Sequence, residues 1–231
     1  MRWIAPLLLV AAVAAFVLGV RSGRIAVPER WNPWAPLRLE APPDTFTRLR
    51  LARLSADPAG CRAFLETTPL DYEALPDRAT GEGCGFTNAV RVDALPAKVG
   101  APFSLSCRAA ASLALWQHHV LEPAAREILG ADVARIEHFG SYACRNVNHR
   151  EGGRRSRHAV AEALDVAGFV LADGRRIRVL KDWPVDSDEA RFLHDVRDGA
   201  CRYFDGVYSP DYNAAHRDHL HLDRGPFRLC R

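Results

Sequence analysis

Three histidines and two aspartates fall within eight residues near the C-terminus, in the run His216-Arg217-Asp218-His219-Leu220-His221-Leu222-Asp223. Residues i and i+2 of a strand point to one face. His219 and His221 would therefore place two imidazoles in one small volume, while Leu220 and Leu222 alternate with them as an apolar face should. A second polar set lies upstream, where His158 stands seven residues before Asp165 and Asp165 opens an apolar run through Phe169. A carboxylate at the mouth of a buried strand is costly unless it is paired or bound to a metal. His158, Asp165 and His221 make a two-histidine, one-carboxylate set, the donor set of a catalytic zinc ion with one coordination position open. One Zn²⁺ is the expected cofactor, acting through polarisation of a carbonyl and of water. His219 shares the presumed strand face with His221 and is expected to act as general base or as a hydrogen-bond donor to an oxyanion. His216 reads as a pocket residue, and Asp223 as a carboxylate that orients an imidazole from behind.

The spacing His-x6-Asp followed by His-x-His resembles the LAS group of metallopeptidases, which includes D-alanyl-D-alanine carboxypeptidases, lysostaphin-type endopeptidases and murein endopeptidases. The wider set Tyr142-Ala-Cys-Arg145, Ser156-x-His158, Ala163-Leu-Asp165-Val-Ala-Gly-Phe169 and Asp218-His-Leu-His221-Leu-Asp223 more closely resembles the bacterial extensin-like C-terminal domain family, over roughly residues 55–231. The chain has no Ser-(Pro)n repeats of the kind that family name brings to mind. The resemblance implies a LAS metallopeptidase-like fold and a substrate among peptidoglycan or muropeptides. In carboxypeptidase-type relatives a glutamate three residues before the last ligand is the base. Asp218, a shorter acid, stands there in this chain, so the base is Asp218 or His219. Strand geometry favours His219; a bulge would reverse that. Arg145 is placed to hold a substrate carboxylate or stabilise an oxyanion, with a structural ion pair as the plainer alternative. Ser156 belongs to the pocket beside His158, and Glu162 reads as solvated.

These side chains need a scaffold, and the pattern is α+β, an antiparallel sheet carrying the metal site with helices packed on one side. A strand is expected at 90–95 and another over Val133–Ala143. The pair Asp173-Gly174 between two apolar runs signals a hairpin joining 164–172 to 175–180. Residues 107–129 read as a helix capped by Ser106 and closed by Gly130, with Pro123 kinking it or starting a second one. Ser187–Phe204 reads as an amphipathic helix with Ser187 or Asp186 as its cap. Short helices are expected at 46–54 and 62–66, a polar loop at 77–83, and a rim loop over Asn146–Arg157 in which His149 is solvated. His118, His119 and His138 have no partner at ligand spacing and read as ordinary hydrogen-bonded histidines.

Residues Trp3–Val20 are uncharged and almost wholly apolar, at the lower limit for a membrane-crossing helix. They read as an uncleaved signal anchor, with a cleaved signal peptide as the alternative. The chain thus divides into an anchor at 1–22, a Pro-rich extended spacer at 23–46 and one domain at 47–231. Trp31 and Trp34 lie in that spacer, at the lipid interface or against the domain. Six cysteines, at 61, 84, 107, 144, 201 and 230, stand behind the apolar segment and read as disulfides of an oxidising compartment. Chain order pairs Cys61 with Cys84, Cys107 with Cys144 and Cys201 with Cys230.

With 31 basic and 28 acidic residues the net charge is +3, too even for a nucleic-acid-binding face. Neither a Gly-x-Ser-x-Gly elbow nor a Gly-rich phosphate loop is present, so serine-hydrolase and nucleotide chemistry lack support. The expectation is a monomeric zinc peptidase of the bacterial inner membrane, held by its N-terminal helix with the domain in the periplasm, hydrolysing amide bonds of the peptidoglycan stem or cross-link. Its rival is a non-catalytic wall-binding or scaffold module with a structural or vestigial metal.

Overall fold

The computed structural model describes residues 4–231, apart from the side chain of His149. Trp3 of the apolar run, and the solvation expected of His149, therefore lie outside what is described. Helix α1 (Ile4–Arg21) is apolar, almost wholly exposed, and long enough to cross a membrane. A signal sequence passes the same test.

After α1 come α2 (Thr47–Arg53), α3 (Pro58–Leu65), β1 (Asp71–Leu75), the hairpin of β2 (Arg78–Gly81) and β3 (Cys84–Phe86), β4 (Ala89–Ala94) and β5 (Lys98–Ser106). Helix α4 (Cys107–Trp116) runs through a π turn at Gln117–Leu121 into α5 (Glu122–Leu129). Then follow β6 (Val133–Gly140), β7 (Ala163–Leu171), β8 (Arg176–Arg178), α6 (Val179–Asp182), α7 (Asp188–Ala200), β9 (Gly206–Tyr208), β10 (Leu220–Asp223) and β11 (Leu229–Cys230). The main sheet has the order β1-β4-β5-β6-β7-β10-β9-β11, with β8 paired to β7. Among the described residues only β5 with β6 and β9 with β11 run parallel, so the sheet is mostly antiparallel within a mixed α+β fold.

Local chemistry sets several of these boundaries. The Ser106 hydroxyl accepts from the Ala109 amide at the start of α4, and Gly130 closes α5 in the left-handed region at φ 66°. Pro123, expected to kink this helix or start a second one, stands in the first turn of α5, just after the π turn. Ser187 caps α7 by accepting from the Ala190 amide. That helix ends at Ala200, short of the expected Phe204, and β6 ends at Gly140, short of Ala143. The second arm of the Asp173-Gly174 hairpin is three residues long, because the chain turns helical at Val179.

Several expectations fail. Cys61 is bonded to Cys107, and Cys84 to Cys144; only Cys201–Cys230 follows chain order. The reason is topological. Helix α3 packs beside the start of α4, which brings Cys61 to Cys107. The 77–83 segment is not a loop but most of a hairpin, which carries Cys84 to the chain leaving β6. The spacer is also not an extended tether along its length. Ala35 and Leu39 are buried, and Arg50 of α2 donates to the carbonyls of Glu29 and Asn32. The His119 ring meets the Leu39 carbonyl and His138 that of Ala101, so neither points at a metal.

The core lies on the helical side of the sheet, where Trp116, Leu113, Phe192 and Leu193 pack on Leu164, Val166, Phe169, Leu171, Leu220 and Leu222. Strand β7 carries an extra residue relative to β6 between Val166 and Gly168. This bulge resets the alternation, so that Leu164 and Val166 before it and Phe169 and Leu171 after it are all buried in the core. The face left over at the start of β7 is where Asp165 stands.

Candidate metal centre

Asp165 on β7 is the direct cross-strand neighbour of His221 on β10, and His221 in turn pairs with Tyr208 on β9. Side chains opposite one another in a ladder share a face, so register alone sets Asp165, His221 and Tyr208 in one row. His158 enters from outside the sheet. It sits in a 3-10 turn (Arg157–Val160) begun by Ser156, whose hydroxyl accepts from the His158 amide at 3.3 Å. Ala161 ends the turn in the left-handed region at φ 54°, a conformation costly for a residue with a Cβ.

One donor atom from each of His158, Asp165 and His221 lies within 4.8 Å of the others, and all three residues are buried. His158 Nε2 is 3.2 Å from Asp165 Oδ2 and 3.2 Å from His221 Nδ1; His221 Nδ1 is 2.8 Å from Asp165 Oδ1. The outward nitrogens decide what the inward ones carry. His158 Nδ1 lies 2.7 Å from the Ser141 carbonyl and His221 Nε2 lies 3.1 Å from Asp223 Oδ2. A carbonyl and a carboxylate only accept, so both outward nitrogens bear the N–H. Two imidazole lone pairs and an anionic carboxylate then converge on one small volume. Such a set is stable only around positive charge, whether a proton or a metal ion. Donor type, number and backing hydrogen bonds fit zinc.

The electrostatics agree. Burial pushes the His221 imidazole down, but hydrogen bonds to Asp165 and Asp223 and their charges outweigh it, and its pKa rises to about 9. Burial likewise raises the Asp165 carboxyl, but hydrogen bonds from His158 and His221 hold it well below the usual carboxylate range. In the metal-free protein the shared proton occupies the place a cation would take.

Beside this trio stand two more imidazoles. His219 precedes β10, its Nε2 3.5 Å from Asp165 Oδ1 and its Nδ1 2.9 Å from Asp218 Oδ1. His219 therefore faces the centre while Asp218 lies behind it. His216 is held through Nδ1 by the Asn213 carboxamide at 2.8 Å, and it forms a second close group with His219 and His221. Burial, then the charges of His221 and His219, lower its pKa to about 4, with a further push from Arg145. The ion pairs there run among Asp165, Asp218, Asp223 and the histidines, and Arg145 joins none of them. Glu162, expected in solvent, is instead buried against Arg108, with burial raising its carboxyl.

Several residues that shape the site carry no sequence signal of their own. The Ser141 carbonyl and the Asn213 carboxamide set imidazole tautomers. Gly206 and Gly225 cradle Asp223: a Cβ would stand 2.3 Å from its Oδ2 at the first and 2.6 Å from its Oδ1 at the second. Phe139 is an extra residue of β6 between the partners of Val166 and Asp165, turned outward to 63% exposure with its ring edge on His219.

A family model described as extensin-like protein C-terminus matches residues 59–231. No curated protein and no solved structure matches the chain.

Proposed function

We propose that this chain, which belongs to the extensin-like protein C-terminus family, is a zinc-dependent peptidase that hydrolyses amide bonds in the peptide part of the bacterial cell wall. One observation carries the reading: with their outward nitrogens held by the Ser141 carbonyl and by Asp223, His158 and His221 turn their inward nitrogens towards Asp165 across 3.2 Å and 2.8 Å. The resemblance of His-x6-Asp and His-x-His to the LAS metallopeptidases supports the choice of reaction and substrate. The apolar helix α1 supports an exported, membrane-held protein, as do the disulfides.

His158, Asp165 and His221 would hold the ion. When bound, zinc supplies a Lewis acid that polarises the scissile carbonyl and makes water nucleophilic near neutral pH. The chain's own groups do the rest. His219, with its Nδ1–H donated to Asp218, presents a basic Nε2 to the centre and takes a proton from the attacking water, to return it to the leaving amine. Asp218 orients that ring and stabilises its charged form. Asp223 and the Ser141 carbonyl keep the two imidazole ligands in the correct tautomer. His216, neutral at physiological pH, lines the pocket.

The test uses the full-length protein in detergent, loaded with Zn²⁺ and incubated with muropeptides beside a His158→Ala variant. Fragments heavier by one water in total than their parent, formed only by the metal-loaded wild type, are expected. Full zinc occupancy with unchanged muropeptide masses would overturn the reading in favour of a wall-binding module.

A further inference from the structure

The link between the apolar helix and the domain is shorter in space than in sequence. Past the last turn of α1 the chain folds back. The Ser22 amide bonds the Leu18 carbonyl, the Gly23 amide that of Val20, and the Ile25 amide that of Gly19 at 3.0 Å. Gly23 makes this reversal in the left-handed region at φ 73°. The Ile25 side chain closes on Gly19, where a Cβ would stand 2.6 Å from its Cδ1. Residue 25 is therefore fixed to the end of α1. Residue 29 is fixed to the domain. Arg50 of α2, 8% exposed, donates to the carbonyls of Glu29 and Asn32 at 2.7 and 2.9 Å, and Arg53 donates to that of Pro33. Ala26, Val27 and Pro28 are all that lies between the two attachments, and three residues fully extended span at most ~11 Å.

The domain covers almost none of α1, which leaves the helix free for lipid. With α1 across the ~30 Å hydrocarbon layer, each headgroup layer outside it is ~5–8 Å deep. The link is little longer than that depth, so the docked segment stays at the surface. What the segment presents suits the position. Trp31 ends the 3-10 turn Glu29–Trp31 and is 63% exposed, with the Arg30 guanidinium over its ring at 5.7 Å. Trp34, by contrast, is half-buried under Arg53. Arg21, Arg24 and Arg30 are exposed and join no ion pair among the described residues. Glu29, the one acid between residues 21 and 39, is paired with Arg38 at 3.0 Å. Tryptophan favours the headgroup level, and clustered arginine is drawn to anionic lipid.

We propose that Arg21, Arg24, Arg30 and Trp31 form a membrane-contact surface that seats the domain on anionic lipid headgroups. This rests on α1 being kept as a membrane span, and not on the peptidase reading. Residues 23–46 then act as a bracket that holds the domain at the bilayer, in place of a spacer that lifts it away.

The test places the full-length protein in lipid nanodiscs of phosphatidylcholine, with or without phosphatidylglycerol, whose acyl chains are brominated near the headgroup. The emission lost in a Trp31→Phe variant isolates Trp31 from the other tryptophans, and an unchanged circular dichroism spectrum checks that the variant folds. With phosphatidylglycerol present, bromination is expected to quench the Trp31 emission about twofold or more, as for a ring at headgroup depth. Replacing Arg21, Arg24 and Arg30 together by Gln should reduce that quenching to the level seen without phosphatidylglycerol. Equal quenching of the wild type with and without phosphatidylglycerol overturns the anionic-lipid surface. No quenching of Trp31 in a chain whose intact mass includes α1 overturns the surface and keeps the anchor, whereas a mature chain that lacks α1 overturns both. Emission that is blue-shifted in the discs yet insensitive to bromine marks a protein partner, such as a second copy, and overturns the lipid assignment. Muropeptide hydrolysis is read separately. Quenching without hydrolysis keeps the surface and removes the peptidase reading; hydrolysis with Trp31 unquenched does the reverse.

Discussion

The floor of the site and its rim are built in opposite ways. On the floor, between β7 and β10, every ring nitrogen of His158 and His221 has a partner, and Asp223 is wedged between two glycines. At the rim, Arg145 and Arg154 join no ion pair among the described residues, and Phe139 and Phe227 are exposed. The floor side chains are held by one another, so their geometry is set before anything binds. Rigid positioning of reacting groups and open recognition of a variable ligand demand these different solutions.

Breaking the floor should have the largest effect. Asp165→Asn removes the one anionic ligand and is expected to lower zinc affinity more than about a hundredfold, beyond the range for groups that only back a ligand; bound metal per chain checks it. Gly206→Ala sharpens the contrast without touching a ligand. Its Cβ would displace the Asp223 carboxylate from His221, and zinc affinity should fall about 10- to 100-fold while the fold, followed by circular dichroism, is kept. Proton competition comes next. The His221 pKa is raised from 6.5 to about 9 in the metal-free protein. Its contribution to metal-free stability is therefore full below about pH 6.5 and is lost as pH rises towards 9. Zinc must displace that proton, so its affinity should climb about tenfold per pH unit over the same window; competition against a chelator at pH 6, 7 and 8 measures the slope. The smallest effect on the floor should come from the rim. Replacing both Cys84 and Cys144 by Ser frees the chain leading into Arg145, costs about 2–4 kcal/mol of stability in thermal unfolding, and leaves zinc affinity unchanged. Loss of metal in that variant would show that floor and rim are not separable.

How far the sequence could be read varies with the kind of signal. Ser106, Gly130, Ser187 and the Asp173-Gly174 pair act within a few residues of themselves, and the elements they bound were legible. Strand β5 was not, because Gly100 and Pro102 interrupt Lys98–Ser106 and its pairing, not its pattern, makes it a strand. Asp218 and His219 illustrate the limit at the site. Their identities and adjacency were plain, but which one faces Asp165 depends on where β10 begins, at Leu220. The roles of Phe139 and Glu162 follow from a bulge and from the half-buried Arg108, neither of which spacing announces.

Alone, the sequence determined the donor types, the i,i+2 histidines, the apolar leader and the helix and hairpin ends, because each depends on residues near in the chain. Tertiary structure decided the cysteine partners, the docking of 35–39 on the domain, and the register that sets His221 opposite Asp165. Those depend on which segments of high sequence separation meet, and that is settled by burying one shared core rather than by any local preference.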